Sequence, residues 1–231
     1  MDEEQLDITA ESLINSSFKN VDVNLRNTIT PVHKEINFFY NSLNISLGGQ
    51  GCGKTTFLMR ELIKLGLLKG QHLYSQILYI SSGDEDATFL ALKHHVSIPI
   101  YPINYADAEE VLQNFLDTRT DIVEHTFLIL EDSTFILTKD NSCWNNWFCK
   151  LRHLRWTVWL NVHVWRSVNT MLKSQVTCLF IFKGYSREVL QMVHRQTCIN
   201  VDFLSFWSVY TYIKNRQCLM INNTKQKIKI I

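Results

Sequence analysis

The chain has 231 residues, 46% of them hydrophobic and 19% charged, with a formal net charge of +1. That is enough for one α/β domain with a substantial core, and the net charge is too small for bulk electrostatics to mark a nucleic-acid binder. No apolar run approaches the roughly 18–20 residues that span a bilayer, and the acidic start (Asp2, Glu3, Glu4, Asp7) lacks a charged-then-apolar leader, so neither a membrane span nor a secretory signal is expected.

Residues 1–38 are polar with weak periodicity and read as an N-terminal arm, followed by a single domain over 39–231. Leu43–Leu47 alternates as a strand would. Thr56–Leu65 carries apolar side chains at helical spacing and runs out near Gly66. Gln76–Ser81 reads as a second strand and Asp86–His94 as a helix. Val96–Tyr101 is short and extended, with Pro99 restricting it to an edge or loop. Asp107–Asp117 predicts a helix with acids in its first turn and Val111, Leu112, Phe115 and Leu116 on one stripe. His125–Leu130 is continuously apolar, as a strand buried on both faces is.

A helix is predicted over Cys143–Leu151, strands over Trp156–Leu160 and Thr177–Phe182, and a helix over Arg187–Gln196. Gln217–Asn222 and Gln226–Ile231 pair about the turn Asn223-Thr224-Lys225. Strands alternating with helices predict a mainly parallel sheet flanked by helices, closed by a C-terminal β-hairpin.

Six cysteines at 52, 143, 149, 178, 198 and 218 include no C-x-x-C pair and read as reduced, mostly buried thiols of an intracellular protein. Cys143, Cys149 and His153 can be drawn as a metal site, but their spacing is poor for zinc. Trp144, Trp147, Trp156, Trp159 and Trp165 fall within 22 residues, with Lys150, Arg152 and Arg155 among them. They suit a core or subunit interface better than a base-stacking surface.

The sharpest signal is Gly48-Gly49-Gln50-Gly51-Cys52-Gly53-Lys54-Thr55, a full G-x-x-x-x-G-K-[ST] between a predicted strand and a predicted helix. Backbone N–H groups and the helix dipole make such a loop an anion cradle. Lys54 is expected to reach the terminal phosphates, the Thr55 hydroxyl to hold Mg²⁺, and Thr56 to complete the cradle. The chemistry implied is binding of ATP with Mg²⁺. Hydrolysis further requires an acid for the metal and a group that orients water. Phe127–Leu130 ends in Glu131 and Asp132, assigned to the metal's water shell and to polarising the nucleophilic water. Seventy-seven residues separate Lys54 from Glu131, room for a strand and two helices.

Next come Arg152-His153, then a strand finishing at Asn161-Val162-His163, then Cys178–Phe182 and Arg187–Gln196. In this order of features, residues 40–231 resemble the FtsK/HerA-type genome-packaging ATPases of double-stranded DNA viruses, typified by the poxvirus packaging ATPase and its relatives in virophages and Maverick-type elements. The resemblance implies a RecA-like P-loop NTPase fold and a homo-oligomeric ring that drives double-stranded DNA into capsids, inside an infected cell and away from membranes. It also places His163 near the position of a polar sensor residue, and points to Arg152 as an arginine finger supplied across a subunit interface, with Arg155 the next candidate. Two residues depart from the family pattern: Glu131-Asp132 stands where Asp-Asp or Asp-Glu is usual, and His163 where Gln is usual, with Asn161 two residues earlier on the same side of the strand. Lys93-His94-His95 and Lys173-Ser174-Gln175 are candidate DNA contacts. Two other readings fit the phosphate loop, a nucleoside or nucleotide kinase and a nucleotide-dependent assembly module without turnover.

Overall fold

A computed structural model describes residues 39–66, 74–83, 87–118, 125–133, 142–197 and 199–231. The expected arm, residues 1–38, lies outside the described residues. In chain order the elements are β1 (Leu43–Leu47), α1 (Lys54–Gly66), β2 (Gln76–Ser81), α2 (Ala87–His95), β3 (Ile100–Asn104), α3 (Ala108–Thr118) and β4 (Thr126–Leu130). They continue with α4 (Ser142–Cys149), α5 (Leu151–Leu154), β5 (Trp156–Val162), α6 (Thr170–Gln175), β6 (Val176–Phe182), α7 (Arg187–Gln196), α8 (Phe203–Thr211), β7 (Cys218–Asn222) and β8 (Lys227–Ile230).

The strands form one sheet in the order β3-β2-β4-β5-β1-β6-β7-β8. Pairings from β3 through β6 are parallel, while β6–β7 and β7–β8 are antiparallel, so the C-terminal hairpin extends a parallel sheet. Every residue of β1, β4, β5 and β6 is buried, which is why β4 and β6 run almost wholly apolar, while the alternating Asn44 and Ser46 of β1 are buried with hydrogen-bond partners. On one face Phe57, Leu58 and Leu62 of α1 and Phe89 and Leu92 of α2 pack over Tyr79, Ile129, Trp159 and Phe180. On the other, Leu112, Trp147, Leu172, Leu190 and Phe206 from α3, α4, α6, α7 and α8 cover Ile45, Leu130, Leu160 and Ile181. Helices on both faces leave the carboxyl ends of the parallel strands as the open edge. Among the described residues no helix is long and apolar enough to cross a membrane.

Several local expectations change. Residues 143–151 do not make one helix: α4 stops at Cys149, and α5 is a separate turn closed by Arg155 in the left-handed region, φ 51°. Val111 is 40% exposed, because the inward face of α3 is set by Ala108 and Leu112. The extended stretch at Pro99 becomes strand only from Ile100, as the sheet's edge strand β3. Helices α6 and α8 were not anticipated. Both have capping side chains that the sequence displays: Asn169 accepts from the Met171 N–H at 2.8 Å and Asp202 from the Ser205 N–H at 3.0 Å.

The five tryptophans named above are each no more than 5% exposed. Three place the indole N–H on an acceptor: Trp144 on Glu109 (2.9 Å), Trp159 on Asn161 (3.0 Å) and Trp165 on Gln196 (2.7 Å). They are core residues and offer no surface for stacking bases. The expectation of mostly buried thiols is corrected in part. Cys178 and Cys218 are buried, whereas Cys143 and Cys149 are exposed, because Trp144, Trp147 and Phe148 occupy the core side of α4. Among the described residues no cluster of His, Cys, Asp or Glu is arranged to hold a metal, so the drawn Cys143/Cys149/His153 site is not formed.

Candidate nucleotide-binding site

Strand β1 delivers the glycine loop to the open edge of the sheet, and α1 leaves it at Lys54. Gly51 and Gly53 have φ of 71° and 104°, values that only glycine holds without strain, and the turn depends on them. The Gly48 N–H donates to the Val162 carbonyl at 3.1 Å, so the loop is tied to the end of β5 from its first residue. Gly49 and Gln50 are exposed, as are Gly51 and Thr56, while Cys52 and Thr55 are half-buried, leaving the cradle open to solvent above.

Lys54 is 7% exposed. Its Nζ donates to the Gly48 and Gly49 carbonyls at 2.7 and 2.9 Å and lies 3.3 Å from His163 Nδ1. A buried ammonium needs such partners. Burial nevertheless holds its pKa below the ordinary lysine value, against the opposing pull of Cys52, Glu131 and Asp132.

The acidic pair arrives on β4, separated from β1 by β5 alone. The Thr55 hydroxyl lies 3.2 and 3.3 Å from the two Glu131 carboxylate oxygens. Asn161, on the intervening strand, donates Nδ2 to Glu131 Oε2 at 2.7 Å. Its Oδ1 accepts from Trp159 Nε1 at 3.0 Å and from the Ser46 hydroxyl. The Ser133 N–H and hydroxyl both donate to the Asn161 carbonyl at 3.0 Å, locking the end of β4 against β5.

His163 sits between the two motifs. Its Nδ1 is 3.0 Å from the Gly48 carbonyl and its Nε2 is 3.5 Å from Asp132 Oδ1. Nδ1 accepting from Lys54 with Nε2–H facing the carboxylate is the tautomer that serves Lys54 and Asp132, and it leaves the Gly48 carbonyl to the Lys54 ammonium. The Tyr185 hydroxyl donates to the His163 carbonyl at 2.7 Å. Asp132 takes a left-handed backbone, φ 46°, and its side chain is 68% exposed toward the opening.

Lys54, Thr55, Glu131, Asp132 and His163 are therefore brought together, as the sequence reading requires. Arg152 is not among them. It is exposed and lines a pocket of about 250 Å³ with Asn41, Leu43, Gln175 and Thr177, at the amino ends of β1 and β6. A five-residue strand such as β1 is roughly 16 Å long, so Arg152 cannot reach its own subunit's phosphate loop. The Arg155 carbonyl accepts from the Thr126 N–H at the amino end of β4, which puts that residue at the same remote end. Lys173, offered above as a DNA contact, is 8% exposed with its ammonium 5.2 Å from the centre of the Trp165 ring, whereas Lys93, His94 and His95 are exposed at the end of α2. Sequence reasoning missed Asn161 as a direct partner of Glu131, and missed Tyr185 at the same edge. For Asn161 the signal was present: a buried-strand polar residue two positions from His163.

No protein-family model and no curated protein matches the chain. Solved structures do. The genome packaging NTPase B204 from Sulfolobus turreted icosahedral virus 2, in complex with ATP-gammaS, superposes with a TM-score of 0.61 at 16% identity, over 82% of this chain and 95% of that one. This chain shares the fold of that NTPase. The DNA-packaging ATPase B204 from Sulfolobus Turreted Icosahedral Virus gives 0.60 at 12% identity over 82% and 96%. Thermomonospora curvata EccC (ATPases 2 and 3) gives 0.55 at 11%, this chain covering 36% of that longer protein. The expected architecture, a mainly parallel P-loop sheet ending in an antiparallel hairpin, is the one observed.

Proposed function

We propose that the chain is an ATP-hydrolysing motor that packages double-stranded viral DNA, working as a homo-oligomeric ring on capsids in an infected cell. The observation that carries the hydrolytic part is the contact of Thr55 with Glu131 beside Lys54, reinforced by Asn161. A hydroxyl and a carboxylate within 3.3 Å of one another form a set of hard oxygen donors that suits Mg²⁺. The metal, when bound, neutralises charge on the triphosphate. Gly48–Thr56 holds the phosphates through backbone N–H groups, and Lys54 turns from the loop carbonyls to the phosphate oxygens. Asp132, exposed at the mouth of the site, accepts a proton from the attacking water. His163 couples the two halves, touching Lys54 on one side and facing Asp132 on the other.

Arg152 completes the site only in trans: a neighbouring subunit that presents the amino ends of its strands to this open edge brings its own Arg152 to the phosphates. Support for packaging comes from the fold shared with the B204 packaging NTPases and from the motif order described above.

The test is ATP turnover by the full chain with and without double-stranded DNA. DNA-stimulated phosphate release that is lost in Lys54→Ala is expected. Release stimulated by a nucleoside but not by DNA would replace the motor with a kinase. Nucleotide-promoted oligomers without any phosphate release would mark a non-catalytic assembly module.

A further inference from the structure

One cation at the open edge has no part in the roles above. Arg216 lies between α8 and β7, and the sheet register brings it to the phosphate loop. Leu47, the last residue of β1, pairs with Ile181 of β6. The next residue of β6, Phe182, pairs with Cys218, the first of β7. Arg216 precedes that row by two residues, so it emerges at the carboxyl edge where the loop begins. A Cβ at Gly53 would lie 3.9 Å from the Arg216 Cα, 4.0 Å from its Cγ and 4.0 Å from the Phe182 ring. The arginine stem therefore starts beside the last glycine of the loop.

Its turn is pinned at both ends. The Gln217 N–H donates to the Lys214 carbonyl at 3.1 Å, and the Lys214 N–H donates to Gln217 Oε1 at 2.9 Å. Ile213 before it and Cys218 after it are buried. Two features of Arg216 run against the local physics. It takes a left-handed backbone, φ 66°, at a turn position that glycine or asparagine ordinarily fills. It also sets a cation beside the amino end of α1, where the helix dipole is positive. There the Gly53 carbonyl accepts the first helical hydrogen bond, from the Phe57 N–H at 2.9 Å. Arg216 is exposed, and among the described residues no acid pairs with it. An anion lying over Gly53 would be held by the dipole and the arginine together.

The sheet order says which part of a bound triphosphate that is. Glu131 follows β4, two strands from β1 on one side, and Arg216 precedes β7, two strands from β1 on the other. A triphosphate whose terminal end meets the metal and the acids extends away from them, toward Arg216. We propose that Arg216 binds the phosphate nearest the nucleoside, its guanidinium donating to the α-phosphate oxygens across Gly53. This rests on the nucleotide-binding part of the proposed function and adds a contact shared by ATP and ADP. The Arg216 fork supplies charge at the end of the ligand that Lys54 and the metal do not serve.

Arg216→Gly in the full chain isolates the side chain, because glycine suits the observed φ. Calorimetric titration with ATP-gammaS, ADP and inorganic tripolyphosphate, each with Mg²⁺, is combined with the Tm without ligand. All three ligands should weaken by the same factor, on the order of 10- to 100-fold, the scale of a lost charge-assisted hydrogen bond. Tm should be equal or higher, and Arg216→Lys should recover part of the affinity. Weakening of ATP-gammaS alone would overturn the proposal in favour of a γ-phosphate contact. Weakening of both nucleotides with tripolyphosphate unchanged would overturn it in favour of a contact to base or ribose. Unchanged affinities, or a general loss with lower Tm, would overturn it and leave the phosphate-loop reading intact. A wild type that binds none of the three would defeat that reading and this role with it. Binding is read without turnover, so a wild type that binds but does not hydrolyse ATP still decides the role of Arg216.

Discussion

Replacing Asn161 by aspartate changes almost no volume and keeps the oxygen that accepts from Trp159 and Ser46, but it sets a second carboxylate where an amide now donates to Glu131 at 2.7 Å. Two unit charges at that distance repel by about 6 kcal/mol at an effective dielectric constant of ~20. The pair can avoid this by taking up one proton. Doing so at pH 7, from an ordinary carboxyl pKa of ~4.3, costs about 3.7 kcal/mol. The cheaper route wins, so Asn161→Asp should lose about 3–4 kcal/mol of stability at pH 7.

The sign of the pH dependence follows from linkage. The shared proton raises the folded-state pKa of the pair above its unfolded value, so the folded protein binds more protons and its stability falls as pH rises through that interval. Lowering the pH from 7 to 5 should therefore recover about 2.7 kcal/mol of the deficit relative to wild type. Urea denaturation of both proteins at pH 5, 6 and 7 measures this directly. A deficit that is the same at all three pH values would refute the contact between Asn161 and Glu131, and with it the arrangement that holds the acid beside Thr55.

Lys54→Met removes a cation that burial holds below its ordinary pKa of 10.5. Because the unfolded chain binds the proton more tightly, the wild-type contribution of Lys54 to stability rises with pH between its lowered value and 10.5. The variant should lose nucleotide binding yet be at least as stable as wild type at neutral pH, with its advantage shrinking as the pH climbs; denaturant titration across that range would contradict this if the variant were the weaker at pH 7. Arg152→Ala and Lys54→Ala should each abolish turnover alone, while mixed subunits should regain part of it, because some interfaces pair an intact loop with an intact arginine. Mixtures as inactive as their components would remove Arg152 from the site.

The phosphate loop, the acidic strand end and the order of elements were legible along the chain because each is local: glycine turn chemistry, an apolar run and a change of period are written in consecutive residues. The same locality accounts for the hairpin and for α7. Errors came where neighbours in space decide. Val111 lies outside the packed face of α3 because Ala108 and Leu112 meet the sheet. Cys143 and Cys149 are exposed because Trp144, Trp147 and Phe148 claim the core side of α4.

That Glu131 belongs beside Thr55 could be inferred from the residues; that Asn161 holds it there depended on which strand intervenes. Only the order β4-β5-β1 puts an Asn161 amide against that acid. The register of β1, β6 and β7 sets Arg216 beside Gly53 though 163 residues separate them. Arg152 gives the clearest contrast. It follows Asp132 by only twenty residues, but α5 leads into β5 at the amino ends of the strands, so within one subunit the arginine and the loop stand at opposite edges. Local chemistry is a property of consecutive residues, whereas the distance between two motifs is a property of strand order and direction, which no short stretch of sequence encodes.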